Sequence, residues 1–270
     1  MSRGCIMLAL SACLWAVEPG GQPPEPPASS RWSPIVELSD EFAGTTLDAA
    51  KWMPRHAYWK GREPSRFAEA NVVVADGMLR LRSTIDVEGL AKVKDPEKDV
   101  WVHAACISSQ GPRAHFGFYA ARLRASRLSM TSSFWFQGIF SEIDVVEQFG
   151  ASARYPDKST LMLANTHYFR DGWAKDKMTP TTWRMPSGAA DAFHTYGMWW
   201  KDAHTIWLYH DGAKVGEMVP PADFDERQYL FFDTEVFTWH GLPSHESLAD
   251  PQRNTMLVDW VRSWRLEPTP

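Results

Sequence analysis

The chain has 270 residues, a formal net charge of −5 and 44% hydrophobic residues. This composition is typical of a globular protein and excludes a largely disordered chain or a bundle of membrane spans. Acidic residues outnumber basic ones, 33 to 28, which argues against a nucleic-acid partner, because phosphate binding needs a basic face. The 14 tryptophans are unusual, and their flat apolar rings suit either a β core or the faces of sugar rings.

Residues 1–17 are predicted to be an export signal. Arg3 supplies a positive flank, and Cys5 to Ala12 form an apolar run that is too short to span a membrane. The sequence Leu-Ser-Ala-Cys at residues 10–13 resembles the lipobox of bacterial lipoproteins, in which the cysteine is lipidated. Cys13 is therefore the predicted lipid anchor, and an ordinary cleaved signal is the alternative. We expect a bacterial protein that is exported and either held in the cell envelope or secreted.

Residues 18–31 are Pro-rich with few apolar side chains, which predicts an extended linker. The folded domain is then expected to cover residues 32–268. Cys106 is the one thiol of that domain, so we predict no internal disulfide there and no Cys-x-x-Cys metal site. It lies in an apolar, strand-like run, where buried packing is far commoner than a nucleophilic role.

Short strands and tight turns dominate the rest of the pattern. Asp-Gly pairs at 76–77 and 211–212 each separate two alternating segments, which is a hairpin signature. Residues 117–128 and 256–266 also alternate between apolar and polar side chains. Long helical periodicity is missing, so the sequence predicts one all-β domain, either a sandwich or a jelly roll.

The most informative segment is residues 141–147, which carries three carboxylates. On a regular strand Glu142 and Asp144 point to the same face, because side chains alternate with a period of two. Glu147 would point to the other face, and a single β-bulge at residues 145–146 would bring it back. Crowded carboxyl groups raise each other's pKa, which suits acid–base chemistry on glycosidic bonds. The segment predicts a catalytic cluster, and a solvated acidic strand is the alternative.

Glu-Ile-Asp-Val-Val-Glu at 142–147 resembles the E-x-D-x-x-E signature of glycoside hydrolase family 16. Further segments fit the family's pattern: Asp40-Glu41-Phe42 with Leu47-Asp48 and Lys51-Trp52, then 117–122, 132–135, 193–197 and 258–262. Together these segments span residues 32–266. The resemblance implies a β-jelly-roll sandwich of two antiparallel sheets with an open concave cleft, and therefore endo-acting cleavage of a polysaccharide.

The resemblance also implies roles for individual residues. Glu142 is the nucleophile of a retaining, double-displacement glycosidase, and Glu147 is its general acid and then its general base. Asp144 lies between them and supports the proton of the acid. No cofactor is required, but the family often carries a structural calcium ion on the convex face, for which Asp259 is the implied ligand. We expect a monomer that binds polysaccharide and meets a membrane only through its lipid.

Four segments resemble the agarase and porphyranase branch of the family: 58–62, 165–171, 233–235 and 246–254. By that match His167 and Glu235 hydrogen-bond to sugar hydroxyls, while Trp59 and Trp135 stack on sugar rings. Trp239 is a further aromatic candidate for the cleft. The implied substrates are the β-1,4-linked galactans of red algae.

A basic segment suggests that this galactan is sulfated. Arg62 belongs to a group of basic residues within 55–66, alongside Tyr58 and Trp59. Guanidinium groups make paired contacts with oxyanions such as sulfate. A solvated loop is the alternative interpretation.

Other functions remain open at this point. Residues 193–197 and 215–217 also resemble κ-carrageenases, and Asp233 stands where the agarase pattern has Asn. A β-1,3-glucanase (laminarinase) would keep the same catalytic strand but fits residues 233–235 poorly. A polysaccharide-binding protein without activity would have no need of the three carboxylates. A transglycosylase would pass the same covalent intermediate to a sugar acceptor instead of water.

Overall fold

The computed structural model describes residues 19–269, so the predicted signal peptide and Cys13 lie outside the described residues. The strands are β1 (Ser30–Pro34), β2 (Trp52–Met53), β3 (Ser65–Phe67), β4 (Val72–Ala75), β5 (Met78–Arg82), β6 (Thr84–Ile85), β7 (Val102–Ala104), β8 (Cys106–Ser109), β9 (Gly117–Arg124), β10 (Thr131–Gln137), β11 (Ser141–Phe149), β12 (Leu161–Tyr168), β13 (Lys177–Met178), β14 (Thr181–Arg184), β15 (His194–Asp202), β16 (Thr205–His210), β17 (Ala213–Met218), β18 (Tyr229–Asp233) and β19 (Thr255–Pro268). The helices are α1 (Val87–Leu90), α2 (His245–Ala249) and five 3-10 turns at Val36–Leu38, Glu69–Asn71, Pro156–Thr160, Trp173–Lys175 and Thr238–His240. Within this part of the chain, no helix has the length and apolar character needed to cross a membrane.

Two eight-stranded antiparallel sheets pack face to face. The cleft sheet has the order β13-β12-β11-β10-β18-β8-β2, with β14 beside β12. The outer sheet has the order β17-β16-β15-β9-β19-β5-β4, with β1 beside β19. Three short strands form a small third sheet in the order β3-β7-β6. The prediction of an all-β jelly-roll sandwich is confirmed.

Large side chains fill the space between the two sheets, because every second residue of each strand points inward. Phe134 and Phe136 come from β10, and Ile143 from β11; all three are fully buried. Tyr119 and Trp200 face them from the outer sheet and are buried to the same degree. The three carboxylates of β11 alternate with these core positions, so they lie on the opposite, concave face of the cleft sheet.

Both predicted Asp-Gly hairpins are present, as β4–β5 and β16–β17. Asp76 and Asp211 have φ values of 54° and 46°, and Gly77 and Gly212 follow with 71° and 84°. Two consecutive residues of positive φ give the turn the twist that matches its flanking strands. Asp tolerates this conformation, and Gly adopts it without a steric penalty.

Residues 19–27, predicted as part of a linker, lie against the outer sheet on the face turned away from the core. The Thr195 hydroxyl donates to the carbonyl oxygen of Pro19 at 3.1 Å. The Trp32 indole N–H donates to the carbonyl oxygen of Pro24 at 2.7 Å. The N-terminal part of the described chain therefore contacts the face of the sandwich that is opposite the carboxylates.

Candidate active site

A β-bulge in β11 places three carboxylates on one face. The pairing of β11 with β10 skips Val145, which is the irregularity that the spacing predicts. Glu142, Asp144 and Glu147 consequently lie opposite alternate residues of β10. All three side chains point to the concave face of the cleft sheet.

Neighbouring strands add polar side chains to this face. On β12, His167 lies opposite Glu142, and Asn165 lies opposite Asp144. On β10, Gln137 lies opposite Glu142, and its Nε2 donates to Glu142 Oε2 at 2.6 Å. The predicted residue His167 is therefore brought directly to the carboxylates.

Two further carboxylates, Asp233 and Glu235, border the cluster at the end of β18. They are 2% and 4% exposed. Arg62 Nε donates to Glu235 Oε2 at 3.3 Å. The site therefore gathers five acidic side chains beside the Arg62 guanidinium.

Burial raises the pKa of every carboxyl group in the cluster. It raises the pKa of Glu147 to about 7, with a further rise from the charge of Glu235 and a smaller opposing effect of Arg62. Burial also raises the pKa of Glu235 to about 7, again against the influence of Arg62. In the other three groups burial is likewise the main cause, and the pKa lies well above the ordinary range: Glu142, Asp144 and Asp233. The cluster therefore retains protons at neutral pH, as proton donation to a leaving group requires.

Hydrogen bonding distinguishes Glu142 from Glu147. Burial and the charge of Glu147 raise the pKa of Glu142, and the hydrogen bond from Gln137 acts in the opposite direction. Between residues 19 and 269, no group donates a hydrogen bond to the Glu147 carboxyl. A donor stabilises the ionised form of the group it contacts. The hydrogen bond from Gln137 therefore acts towards the ionised form of Glu142 and has no counterpart at Glu147, while burial keeps the pKa of both groups raised.

The hydrogen bonds around His167 fix its tautomer. The backbone N–H of Thr166 donates to Asn165 Oδ1 at 3.0 Å, so the amide N–H of Asn165 faces His167 Nε2 at 2.9 Å. Nε2 accepts this bond, and the ring proton lies on Nδ1, 2.6 Å from Asp176 Oδ2. Asp144 Oδ2 is 3.5 Å from the same Nε2 and otherwise lacks a partner in the described chain. Burial and the charges of Glu147 and Glu142 raise the pKa of Asp144 well above the ordinary range, which favours its protonated form.

Arg62 forms one edge of the site together with three aromatic rings. Its guanidinium carbon lies 5.6 Å from the ring centre of Trp59, 4.9 Å from that of Phe237 and 5.6 Å from that of Trp239. These distances allow cation–π attraction. Trp239 is 49% exposed, so its ring is available to a ligand. The predicted residues Trp59, Arg62, Glu235 and Trp239 thus meet at one edge of the cleft.

Trp135 lies on the floor of the cleft but is only 6% exposed. Its ring stacks on Phe231 at 4.5 Å and on His56 at 5.5 Å between centroids. Cys106 belongs to the same apolar cluster and is 1% exposed, which confirms its predicted burial. Trp135 therefore supports the floor and presents little free ring surface.

Sequence reasoning missed two residues of the loop that follows β12. Trp173 is 55% exposed; its ring stacks on Phe169 at 3.9 Å and lies 6.2 Å from the ring of His167. An exposed tryptophan held flat beside polar groups suits the face of a sugar. Asp176 accepts the hydrogen bond from the Nδ1–H of His167. Trp173 could have been predicted, because a tryptophan among charged residues is unusual. Asp176 could not, because an aspartate in an irregular loop has no distinctive sequence pattern.

Asp259 lies on β19 of the outer sheet, remote from the carboxylate cluster. Its carboxylate accepts a hydrogen bond from the guanidinium of Arg122 and is paired with that positive charge. Calcium needs several oxygen ligands without a competing cation among them. The residues present do not fit a calcium site with Asp259 as the side-chain ligand.

The raised pKa of Glu147 predicts a pH-dependent gain of stability in the Glu147→Gln variant. The folded pKa is about 7 against about 4.3 in an unfolded chain, so the folded state loses stability as pH rises through 7. At pH 8 the variant, which carries no charge there, should melt about 5 °C higher than the wild type. The difference should shrink towards zero near pH 4.5. Calorimetry at both pH values checks this, and an equal Tm at pH 8 would contradict it.

Comparisons with known proteins point to one family. The family model "Beta-porphyranase A-D, GH16 domain" matches residues 32–266. A β-porphyranase E of Zobellia galactanivorans is 34% identical over 261 residues, which cover 90% of this chain and 91% of the relative. A β-porphyranase B of Phocaeicola plebeius is 31% identical over 284 residues, which cover 91% of this chain and 88% of the relative.

Solved structures agree with this result. The crystal structure of a β-porphyranase from the human gut bacterium Bacteroides plebeius matches with a TM-score of 0.80 at 30% identity, over 92% of this chain and 96% of that one. The structure of β-agarase A from Zobellia galactanivorans has the same TM-score of 0.80 at 19% identity, over 92% of this chain and 98% of that one. At the lower identity the likeness shows a shared fold.

Proposed function

The chain belongs to glycoside hydrolase family 16 and is a glycosidase, and from this premise we propose that it is an endo-acting, retaining hydrolase of β-1,4 linkages in red-algal galactans of the porphyran type. One observation carries the proposal. The bulged strand β11 holds Glu142, Asp144 and Glu147 on a concave face that ends in the aromatic-lined guanidinium of Arg62. Such a face offers both the acid–base pair and a contact for an anionic sugar.

The two glutamates have distinct roles in this mechanism. Glu142 attacks the anomeric carbon and forms a glycosyl-enzyme, while Glu147 gives its proton to the departing oxygen. Glu147 then removes a proton from water, which attacks the same carbon and releases Glu142 with the β configuration retained. The hydrogen bond from Gln137 to Glu142 and the pKa of about 7 at Glu147 support this assignment. Asp144, between them, keeps its proton beside His167 Nε2.

The remaining side chains of the face bind the sugar chain. Exposed rings suit stacking against pyranose faces, and Trp239 and Trp173 offer them at the two edges of the site. His167 and Glu235 lie at the cluster and can contact hydroxyl groups. Arg62 is 43% exposed at its side chain, so it can pair with a sulfate ester while its Nε stays on Glu235.

A substrate panel tests the proposed specificity. Residues 18–270 are incubated with porphyran, agarose, κ-carrageenan and laminarin, and reducing ends are measured, with Glu142→Gln as the control. We expect release from porphyran in oligosaccharides of several sizes. Activity on agarose alone would contradict the proposal that the substrate carries sulfate. Activity on κ-carrageenan or laminarin alone would overturn the porphyran assignment.

Replacing Arg62 by Ala tests whether this edge contacts sulfate. The loss of a charge-assisted contact should lower kcat/KM on porphyran by about 10- to 100-fold, and the loss on agarose should be smaller. Arg66→Ala is the matched control, because Arg66 is exposed on β3 and lines a separate cavity with Asp86 and His103. Equal losses on both polysaccharides would contradict a sulfate contact.

Export is part of the same proposal. Polysaccharide chains are too large to enter a cell intact, which accords with the predicted signal in residues 1–17. Lipidation of Cys13 would retain the enzyme at the cell surface, and an ordinary cleaved signal would release it.

A further inference from the structure

A second cluster of ionisable side chains lies on the outer sheet, apart from the proposed active site. His194 begins β15, His210 ends β16, and Asp211 opens the turn that follows. The imidazole rings of His194 and His210 are 5.0 Å apart between centroids. Asp211 Oδ2 lies 3.0 Å from His194 Nδ1 and 3.6 Å from His210 Nδ1. One carboxylate oxygen is therefore held between two imidazole nitrogens.

These separations match those within a tetrahedral metal site. Zinc binds histidine nitrogen and carboxylate oxygen at about 2.0–2.1 Å, which puts neighbouring ligand atoms about 3.3 Å apart. The two measured distances lie on either side of that value. One ligand atom from each of the three residues lies within 4.8 Å of the other two.

Hydrogen bonds hold the outer sides of two of these residues. The backbone N–H of Thr195 donates to Asp211 Oδ1 at 2.7 Å, which leaves Oδ2 to face the histidines. His194 Nε2 lies 3.1 Å from Ser187 Oγ, so the ring is oriented with Nδ1 towards Asp211. Metal-binding histidines and carboxylates are usually fixed in this way through their second polar atom.

Within residues 19–269, His210 has no comparable partner. It is 5% exposed, and its Nε2 is buried without a hydrogen bond to the rest of the described chain. Its Nδ1, at 3.6 Å from Asp211, is beyond hydrogen-bond distance. A buried imidazole without a partner is unfavourable. Nδ1 of His210, which faces Asp211 without a hydrogen bond in the described chain, is therefore available to a cation.

We infer that His194, His210 and Asp211 form a site for a divalent transition-metal ion of the zinc type, which joins the ends of β15 and β16. The Asp211 side chain is 39% exposed, so the ion enters from solvent and keeps a water as its fourth ligand. The role of this site is structural, because it lies on the outer sheet and not in the cleft.

Zinc binding to the protein tests the inference. Tag-free residues 18–270 are treated with EDTA, dialysed and titrated with ZnCl2 by calorimetry, and thermal melts are recorded with and without the ion. We expect one ion per chain and a Tm increase of about 5 °C at a hundredfold excess of zinc over Kd. His210→Leu should weaken zinc binding at least about 100-fold, while its melt in EDTA stays near that of the wild type.

A second variant covers the case in which His210→Leu fails to fold. Asp211→Asn keeps the acceptor for the Thr195 N–H and suits positive φ, but it removes the charged ligand, so zinc binding should again fall. His167→Gln controls for the cleft, where His167 lies near Glu142 and Asp144 and could also hold an ion; it should bind zinc as the wild type does. Absence of binding, undiminished binding by the folded His210 or Asp211 variant, or loss of binding in His167→Gln would overturn the inference.

Discussion

Replacing Glu142 or Glu147 by Gln is expected to lower kcat on porphyran by about 10³-fold or more. Each substitution keeps the shape of the side chain but removes the group that attacks carbon or transfers the proton. Their places on β11 support this expectation: both reach the concave face through the bulge at Val145, and Gln137 donates to Glu142. Reducing-end release by each purified variant measures the loss.

An activated substrate distinguishes the nucleophile from the general acid. An aryl glycoside whose leaving group needs no proton should still form the glycosyl-enzyme with the Glu147→Gln variant. Mass spectrometry should then find the sugar on Glu142, and the Glu142→Gln variant should carry none. Glu217→Gln, an exposed carboxylate on β17 of the outer sheet, is the matched control and should keep full activity. Near-wild-type hydrolysis by either cleft variant would contradict the mechanism.

The Asp176→Asn variant is expected to lose about 10- to 100-fold in kcat/KM. Asp176 does not contact the carboxylates itself but is hydrogen-bonded to His167, which does lie beside them. Its Oδ2 lies 2.6 Å from His167 Nδ1 and so keeps the ring proton away from Nε2. Without that carboxylate the proton can move to Nε2, where it opposes the amide N–H of Asn165 and changes the contact with Asp144. Asp176 acts as a positioning residue, through His167.

Nitrogen NMR reports this effect independently of activity. The ¹⁵N shifts of His167 should show a protonated Nδ1 in the wild type and a changed tautomer in Asp176→Asn. Asp171→Asn is the matched control, because Asp171 is an exposed carboxylate in the same loop. An unaltered tautomer together with lost activity would mean that Asp176 acts on folding or binding and does not fix the proton on His167.

The parts of the structure that follow a period could be predicted from the sequence. Glu142, Asp144 and Glu147 are separated by two and then three residues, and only a bulge reconciles that spacing with one face. The Asp-Gly pairs at 76–77 and 211–212 locate two hairpins, because few residues other than Gly adopt positive φ without strain. The alternation in β9 and β19 likewise follows from one buried face per strand.

The rest depended on contacts between residues far apart in the chain. The pairing of Asp259 with Arg122 links two strands 137 residues apart in sequence, and no local pattern reveals it. The low exposure of Trp135 results from its packing against Phe231 and His56, which lie far from it in the sequence. Asp176 reaches His167 through an irregular loop, where the sequence pattern has no period to follow.

The position of residues 19–27 fixes how the enzyme would be held at a surface. Because Pro19 is bound to Thr195 on the outer sheet, any chain that precedes it starts from the back of the sandwich. Cys13 and Pro19 are six positions apart in the sequence, and six residue steps of fully extended chain reach at most about 20 Å. A lipid on Cys13 would therefore keep the outer sheet next to the membrane and turn the cleft towards the medium. For the same reason, an enzyme immobilised through its N-terminus should keep its cleft accessible to the polysaccharide.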